Sequence, residues 1–149
     1  MRATNKFKLT YSTMFDPPAE LHQRFDQALA NIKAGLGREH AMLIAGKERS
    51  SKDKFEVRSP INRDWLLGVF QHGGAEDVDA AVAAARAAHP AWAATPWRER
   101  VRLLRCAAHL IEERVYDIGA AVALEVGKNR MESLGEVQET ADQIGRAHV

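Results

Sequence analysis

Residues 42–70 read MLIAGKERSSKDKFEVRSPINRDWLLGVF. Short apolar runs, MLIAGKE, FEVRS and WLLGVF, are separated by a charged SSKDK turn and by Pro60-Ile61-Asn62-Arg63-Asp64. That pattern predicts a β-hairpin followed by a third short strand. Working outward, the periodicity on both sides is helical. Upstream, Leu21, Phe25, Ala28, Leu29 and Ile32 recur at three and four between Asp16 and Gly35, the spacing of one helix face. Asp16 is placed to cap that helix, Pro17 to occupy its first position, and Gly35 and Gly37 to end it.

Downstream of Glu76 the chain stays helical. Val78, Val82, Ala85, His89 and Trp92 form one stripe, with Glu76, Asp77 and Asp79 in the first turn where carboxylates favour the positive end of the helix dipole. Pro90 predicts that this helix stops at or before Ala88. The next helix is expected to start with Thr95 as N-cap and Pro96 at the first position, burying Val101, Leu104, Ala108, Ile111 and Val115. A further stretch through Ile118, Val122 and Val126 ends at Gly127, and a last one aligns Met131, Leu134, Val137 and Ala141.

The chain has 149 residues, 46% hydrophobic and 28% charged, with a net charge of +1. This is the balance of a globular domain, and one domain is the default expectation from length alone. It excludes the basic footprint of a nucleic-acid binder and any polyacidic tail. No run reaches the roughly 18 apolar residues of a membrane span. The first twenty residues lack the apolar segment of a secretory signal, so a cytoplasmic location is expected, where the lone Cys106 stays reduced.

Motifs that carry chemistry in other proteins fail here on context. Gly35-Leu36-Gly37 follows a helix and has His40 where a dinucleotide loop needs glycine. Gly127-Lys128-Asn129 lacks the upstream glycine and the hydroxyl residue of a P-loop. Cys106 lies mid-helix between Leu103 and Leu110 and is expected to be a small buried residue, not a nucleophile. The six histidines show no ligand spacing, so no metal is expected, and His109 with Glu113 reads as a surface contact. Glu132, Glu136 and Glu139 share one helical side, which is ordinarily a solvated face. The residues by themselves predict an α+β body without a self-contained active site.

The order of motifs then resembles a known family. Leu43-Ile44-Ala45-Gly46-Lys47-Glu48 is similar to the opening hairpin of aldehyde dehydrogenases and Arg58-Ser59-Pro60-Ile61-Asn62 to their next segment. Ala75 to Val82 with Ala91-Trp92, Arg98-Glu99-Arg100 with Leu103-Leu104, and Glu125-Val126-Gly127-Lys128-Asn129 follow in the family's order. The long helix before the hairpin, the lead from Gly37 to His40 and the EVGKNRMES stretch resemble most the branch that oxidises L-glutamate γ-semialdehyde.

The resemblance covers residues 7–143 and implies an α/β fold: an N-terminal helix, a hairpin and amphipathic helices from the NAD-binding part of the enzyme. It implies NAD as cofactor, a small aldehyde as substrate and a homo-oligomeric parent of several hundred residues. The family's catalytic cysteine, general-base glutamate, oxyanion asparagine and cofactor helix would all lie beyond Gln143, leaving no catalytic or NAD-binding residue in this chain. One position carries over by spacing: Glu139 matches a glutamate at the mouth of the aldehyde tunnel, where a carboxylate would screen the substrate's ammonium group. The implied organisation is a helical extension over 1–41, a truncated dehydrogenase part over 42–143, and a foreign tail over 144–149. That tail, IGRAHV, equals the translation of ATCGGAAGAGCACACGTC, which resembles a sequencing-adapter oligonucleotide, and Gly145 is expected to break the helix before it. The rival expectation is a stand-alone helical interaction module, which accounts for the amphipathic faces but not for the motif order.

Overall fold

The computed structural model describes residues 16–146. Five helices and five strands follow in the order α1 (Ala19–Ala34), β1 (Arg38–His40), β2 (Met42–Ile44), β3 (Lys47–Arg49), β4 (Lys54–Arg58), β5 (Leu66–Gln71), α2 (Ala75–Ala94), α3 (Trp97–Glu113), α4 (Val115–Val126) and α5 (Arg130–Arg146). This is the mixed α/β composition expected. The chain divides into two compact units, one containing α1, the end of α3, most of α4 and α5, the other containing residues 35–104 and 124–127.

The helical unit is built on the upstream periodicity. Leu21, Phe25 and Ala28 of α1 are buried with Ala120 and Ala123 of α4 and Leu134 of α5, and Leu29, Ile32, Val115, Tyr116 and Met131 pack around them. Small residues on α4 let the helices approach closely: a Cβ added at Gly119 would come within 2.9 Å of Leu134 Cδ2. Burial of Leu134, Val137 and Ala141 matches the face expected for α5. The start of α1 differs from expectation. Regular helix begins at Ala19 and the Leu21 N–H donates to the Pro18 carbonyl at 2.9 Å, so Asp16 and Pro17 precede the helix instead of capping and opening it.

In the other unit β1 runs parallel to β5, which pairs antiparallel with β4, while β2 and β3 form a separate hairpin. The sequence reading placed SSKDK at a turn and missed the tighter one inside MLIAGKE. Ala45 and Gly46 both take positive φ, 53° and 74°, the conformation of a two-residue turn whose twist matches its strands. FEVRS instead pairs with the strand after Pro60–Asp64. β1 was not foreseen, because Arg-Glu-His shows no apolar alternation and its partner lies about thirty residues later.

Gln71 ties this sheet together. Its amide donates to Glu39 Oε1 at 3.0 Å and to the His40 carbonyl at 3.1 Å, and its oxygen accepts from the Ser51 N–H at 2.7 Å. A buried amide with this many partners avoids the cost of an unsatisfied polar group.

α2 and α3 correct several expectations. α2 continues through Pro90 to Ala94. The carbonyl that loses its partner there belongs to Arg86, on an exposed stretch where water can replace the missing N–H. Thr95 terminates α2 instead of opening α3: its hydroxyl donates to the Ala91 carbonyl at 3.0 Å, and the Pro96 carbonyl accepts the first α3 bonds from Glu99 and Arg100. No residue of α2 is buried, and of the face expected for α3 only Ala108 is. Val78 (60%), Trp97 (59%) and Leu110 (57%) are the most exposed of these apolar side chains. Cys106 is also exposed, contrary to the buried position expected, because helical spacing specifies a face but not whether anything covers it.

At the other end, α5 runs through Gly145 without the expected break. A single glycine lowers helix propensity by only about 1 kcal/mol relative to alanine. Residues 147–149, the end of the IGRAHV segment, lie outside the described residues, as do the first fifteen, on which the signal-peptide reading mainly rests.

Candidate functional site

Two sequence motifs far apart along the chain, RSPIN and EVGKN, meet in space. Ser59 is almost fully buried, and its Oγ donates to the Leu124 carbonyl at 2.6 Å near the end of α4. That carbonyl is among the last four of the helix, which have no intrahelical partner. The Ser59 hydroxyl also accepts from the Ile61 N–H at 3.3 Å, while the Asn62 side chain accepts from the Asp64 N–H at 2.9 Å, so the turn is held from within. Gly127 ends α4 at φ 75°, a conformation that disfavours side chains, and a Cβ there would stand 3.4 Å from Pro60 Cγ.

Past Gly127, α5 opens with a reciprocal cap. The Asn129 side chain accepts from the Glu132 N–H at 3.0 Å and the Glu132 carboxylate from the Asn129 N–H at 3.3 Å. The signal was present as Asn-x-x-Glu, a variant of the capping box. Glu136 is ion-paired with Lys128. Of the three carboxylates read as one face, Glu132 therefore caps and Glu136 pairs. Glu139 stays exposed, with no side-chain hydrogen bond or ion pair among the described residues.

Shifted carboxyl groups elsewhere have structural causes. The Lys54 ammonium, bonded to Glu39 at 2.8 Å, and the Gln71 amide hold Glu39 below the usual glutamate range. The Arg102 guanidinium does the same for Glu99. His109 lies 3.1 Å from Glu113, the contact expected on an exposed helix turn. Among the described residues no group of three His, Cys, Asp or Glu side chains is placed to hold a metal ion, and no helix is long and apolar enough to cross a membrane.

Nor do the described residues form a dinucleotide cradle. The N-terminus of α2 is closed by its own Asp77, whose carboxylate accepts from the Gly74 N–H at 2.9 Å and would repel a phosphate. Gly35 to Gly37 runs from a helix into strand β1, the reverse of the strand-to-helix order that presents backbone N–H groups to pyrophosphate.

Among the described residues the helices and strands form a mixed α/β arrangement in which distant motifs meet, and that arrangement is the one found in the aldehyde dehydrogenase fold. The family model described as "Aldehyde dehydrogenase family" matches residues 47–148, and the chain belongs to that family. A 1-pyrroline-5-carboxylate dehydrogenase of Staphylococcus haemolyticus is 30% identical over 122 residues, 82% of this chain and 24% of the relative. An N-succinylglutamate 5-semialdehyde dehydrogenase of Serratia proteamaculans is 48% identical over 105 residues, 70% of this chain and 21% of the relative. Among solved structures, the 1-pyrroline-5-carboxylate dehydrogenase from Thermus with bound NAD superposes with a TM-score of 0.85 at 26% identity, covering 97% of this chain and 27% of that one. The chain thus spans about a quarter of the length of the relatives it matches.

Proposed function

We propose that this chain is the N-terminal part of a cytoplasmic, homo-oligomeric, NAD-dependent aldehyde dehydrogenase that oxidises L-glutamate γ-semialdehyde to L-glutamate in proline catabolism. The observation that carries the reading is the likeness over 97% of the chain to a 1-pyrroline-5-carboxylate dehydrogenase solved with NAD. The part played by residues 42–143 is scaffolding, with 1–41 a helical extension. Its helices present apolar stripes for the remainder of the enzyme to cover, and thiolate attack, hydride transfer to NAD and thioester hydrolysis belong to that remainder. No residue of this chain is assigned to NAD.

Glu139 is the one side chain assigned to substrate. Its carboxylate lacks a partner among the described residues and would screen the ammonium of the semialdehyde. A second reading draws on the 48% identity to the N-succinylglutamate semialdehyde enzyme, whose named substrate carries an acylated nitrogen.

The experiment is a steady-state comparison of the full-length enzyme with both aldehydes. Preference for the free semialdehyde, with Glu139→Ala raising its KM but not that for NAD, is expected. Preference for the acylated aldehyde, with Glu139→Ala silent, replaces the first reading with the second. The 149-residue chain alone is expected to show no turnover, and measurable NADH formation by it would refute the scaffolding role.

A further inference from the structure

Arg130 stands in the first turn of α5, and its side chain is committed to α1. One guanidinium nitrogen, Nη1, donates to the His22 carbonyl at 3.3 Å and lies 2.7 Å from His22 Nδ1; the other, Nη2, donates to Asp26 Oδ1 at 2.6 Å. Its Cζ lies over the Phe25 ring, 4.8 Å from the centroid, and Phe25 is itself in the buried core. An arginine has only donors, so His22 Nδ1 is the acceptor in this contact. His22 and Asp26 are one turn apart on α1, and a planar fork spans such a pair where a single ammonium cannot.

From this geometry we infer that Arg130 is a positioning residue for Glu139. The inference rests on the substrate role given to Glu139 above. The apolar row of α5, Leu134, Val137 and Ala141, sets which side faces inward but is non-directional, so it tolerates small rotations. Arg130 adds directional bonds at the start of the helix. A rotation of about 20° about the helix axis would move a carboxylate on its rim by roughly 2 Å, taking the side-chain radius as about 5–6 Å. Glu132 and Glu136 are already engaged by Asn129 and Lys128, so Glu139 is the carboxylate whose direction this bracing decides.

The test uses Arg130→Met, Arg130→Lys and Glu139→Ala, with hydrogen exchange of α5 amides in the 149-residue chain and steady-state kinetics of the full-length enzyme. Arg130→Met is expected to speed exchange in the first turns of α5. It should raise the semialdehyde KM on the order of tenfold, within the hundredfold that an ångström-scale misplacement can cost, while kcat and the KM for NAD hold. Arg130→Lys, reaching one acceptor, should fall between Met and wild type. A merely structural role would lower the active fraction and so kcat, leaving both KM values alone. That result, or unchanged α5 exchange while Glu139→Ala is effective, overturns the assignment of Arg130. Faster exchange with Glu139→Ala kinetically silent overturns the Glu139 reading, and the positioning role with it.

Discussion

Replacing Leu134 by alanine removes three buried carbons from the contact between α4 and α5. Leu134 is 2% exposed and belongs to the core cluster of the helical unit. Large-to-small changes of this kind cost about 2–5 kcal/mol, and a central value of about 3 is expected. The neighbouring Gly119 makes the experiment sharper. A Cβ at Gly119 would lie 2.9 Å from Leu134 Cδ2 but 3.6 Å from the Leu134 backbone nitrogen. Gly119→Ala alone should gain about 1 kcal/mol of helix propensity and lose about 1–3 kcal/mol to overpacking. With Leu134 already truncated, the clash is gone and the added methyl fills part of the void, so the same change should stabilise by about 1 kcal/mol. The cycle therefore predicts a favourable coupling of about 1–3 kcal/mol between two changes that each damage or barely affect the wild type. Urea denaturation of the four proteins, followed by far-UV circular dichroism, measures it. Additivity within about 0.5 kcal/mol would show that the packing of α4 on α5 is not as described.

Ser59→Ala leaves the Leu124 carbonyl without its donor and is expected to cost about 1–3 kcal/mol; Ser59→Thr, which keeps the hydroxyl, should retain part of it, and equal losses in the two variants would refute the hydrogen-bond account. Cys106 is expected to react stoichiometrically with a disulfide reagent in the native 149-residue chain, and reaction only in denaturant would restore the buried position; Cys106→Ser should leave turnover of the full-length enzyme intact. Glu39 has a lowered folded-state pKa, caused first by the Lys54 hydrogen bond. Its contribution to stability is thus present above the ordinary glutamate range and lost as pH falls through the folded value. Glu39→Gln should flatten the acid limb of a stability–pH curve, and an unchanged limb would contradict the pairing.

Particular residues show how far the sequence reaches. The faces of α1 and α5 were legible because Leu21, Phe25 and Ala28, and Leu134, Val137 and Ala141, recur at the helical period on segments that are covered. The same period on α3 predicted burial that the described residues do not show, since Leu104 is exposed and of that face only Ala108 is buried. Periodicity is a property of one segment, whereas burial requires two. Glu139 was placed by resemblance and spacing, but that Glu132 and Glu136 are engaged and Glu139 is not emerged only from the cap and the Lys128 ion pair. Arg130 carried no sequence signal, because its partners His22 and Asp26 lie more than a hundred residues away.

The sequence by itself determined the alternation of helix and strand and the family, because these depend on local chemistry and on the order of short motifs. Tertiary structure alone decided the pairing of Arg38–His40 with β5, the seating of Ser59 on the end of α4 and the bracing of α5 by α1. Each of those depends on groups distant in sequence finding donors and acceptors at bonding distance, and no local pattern encodes that.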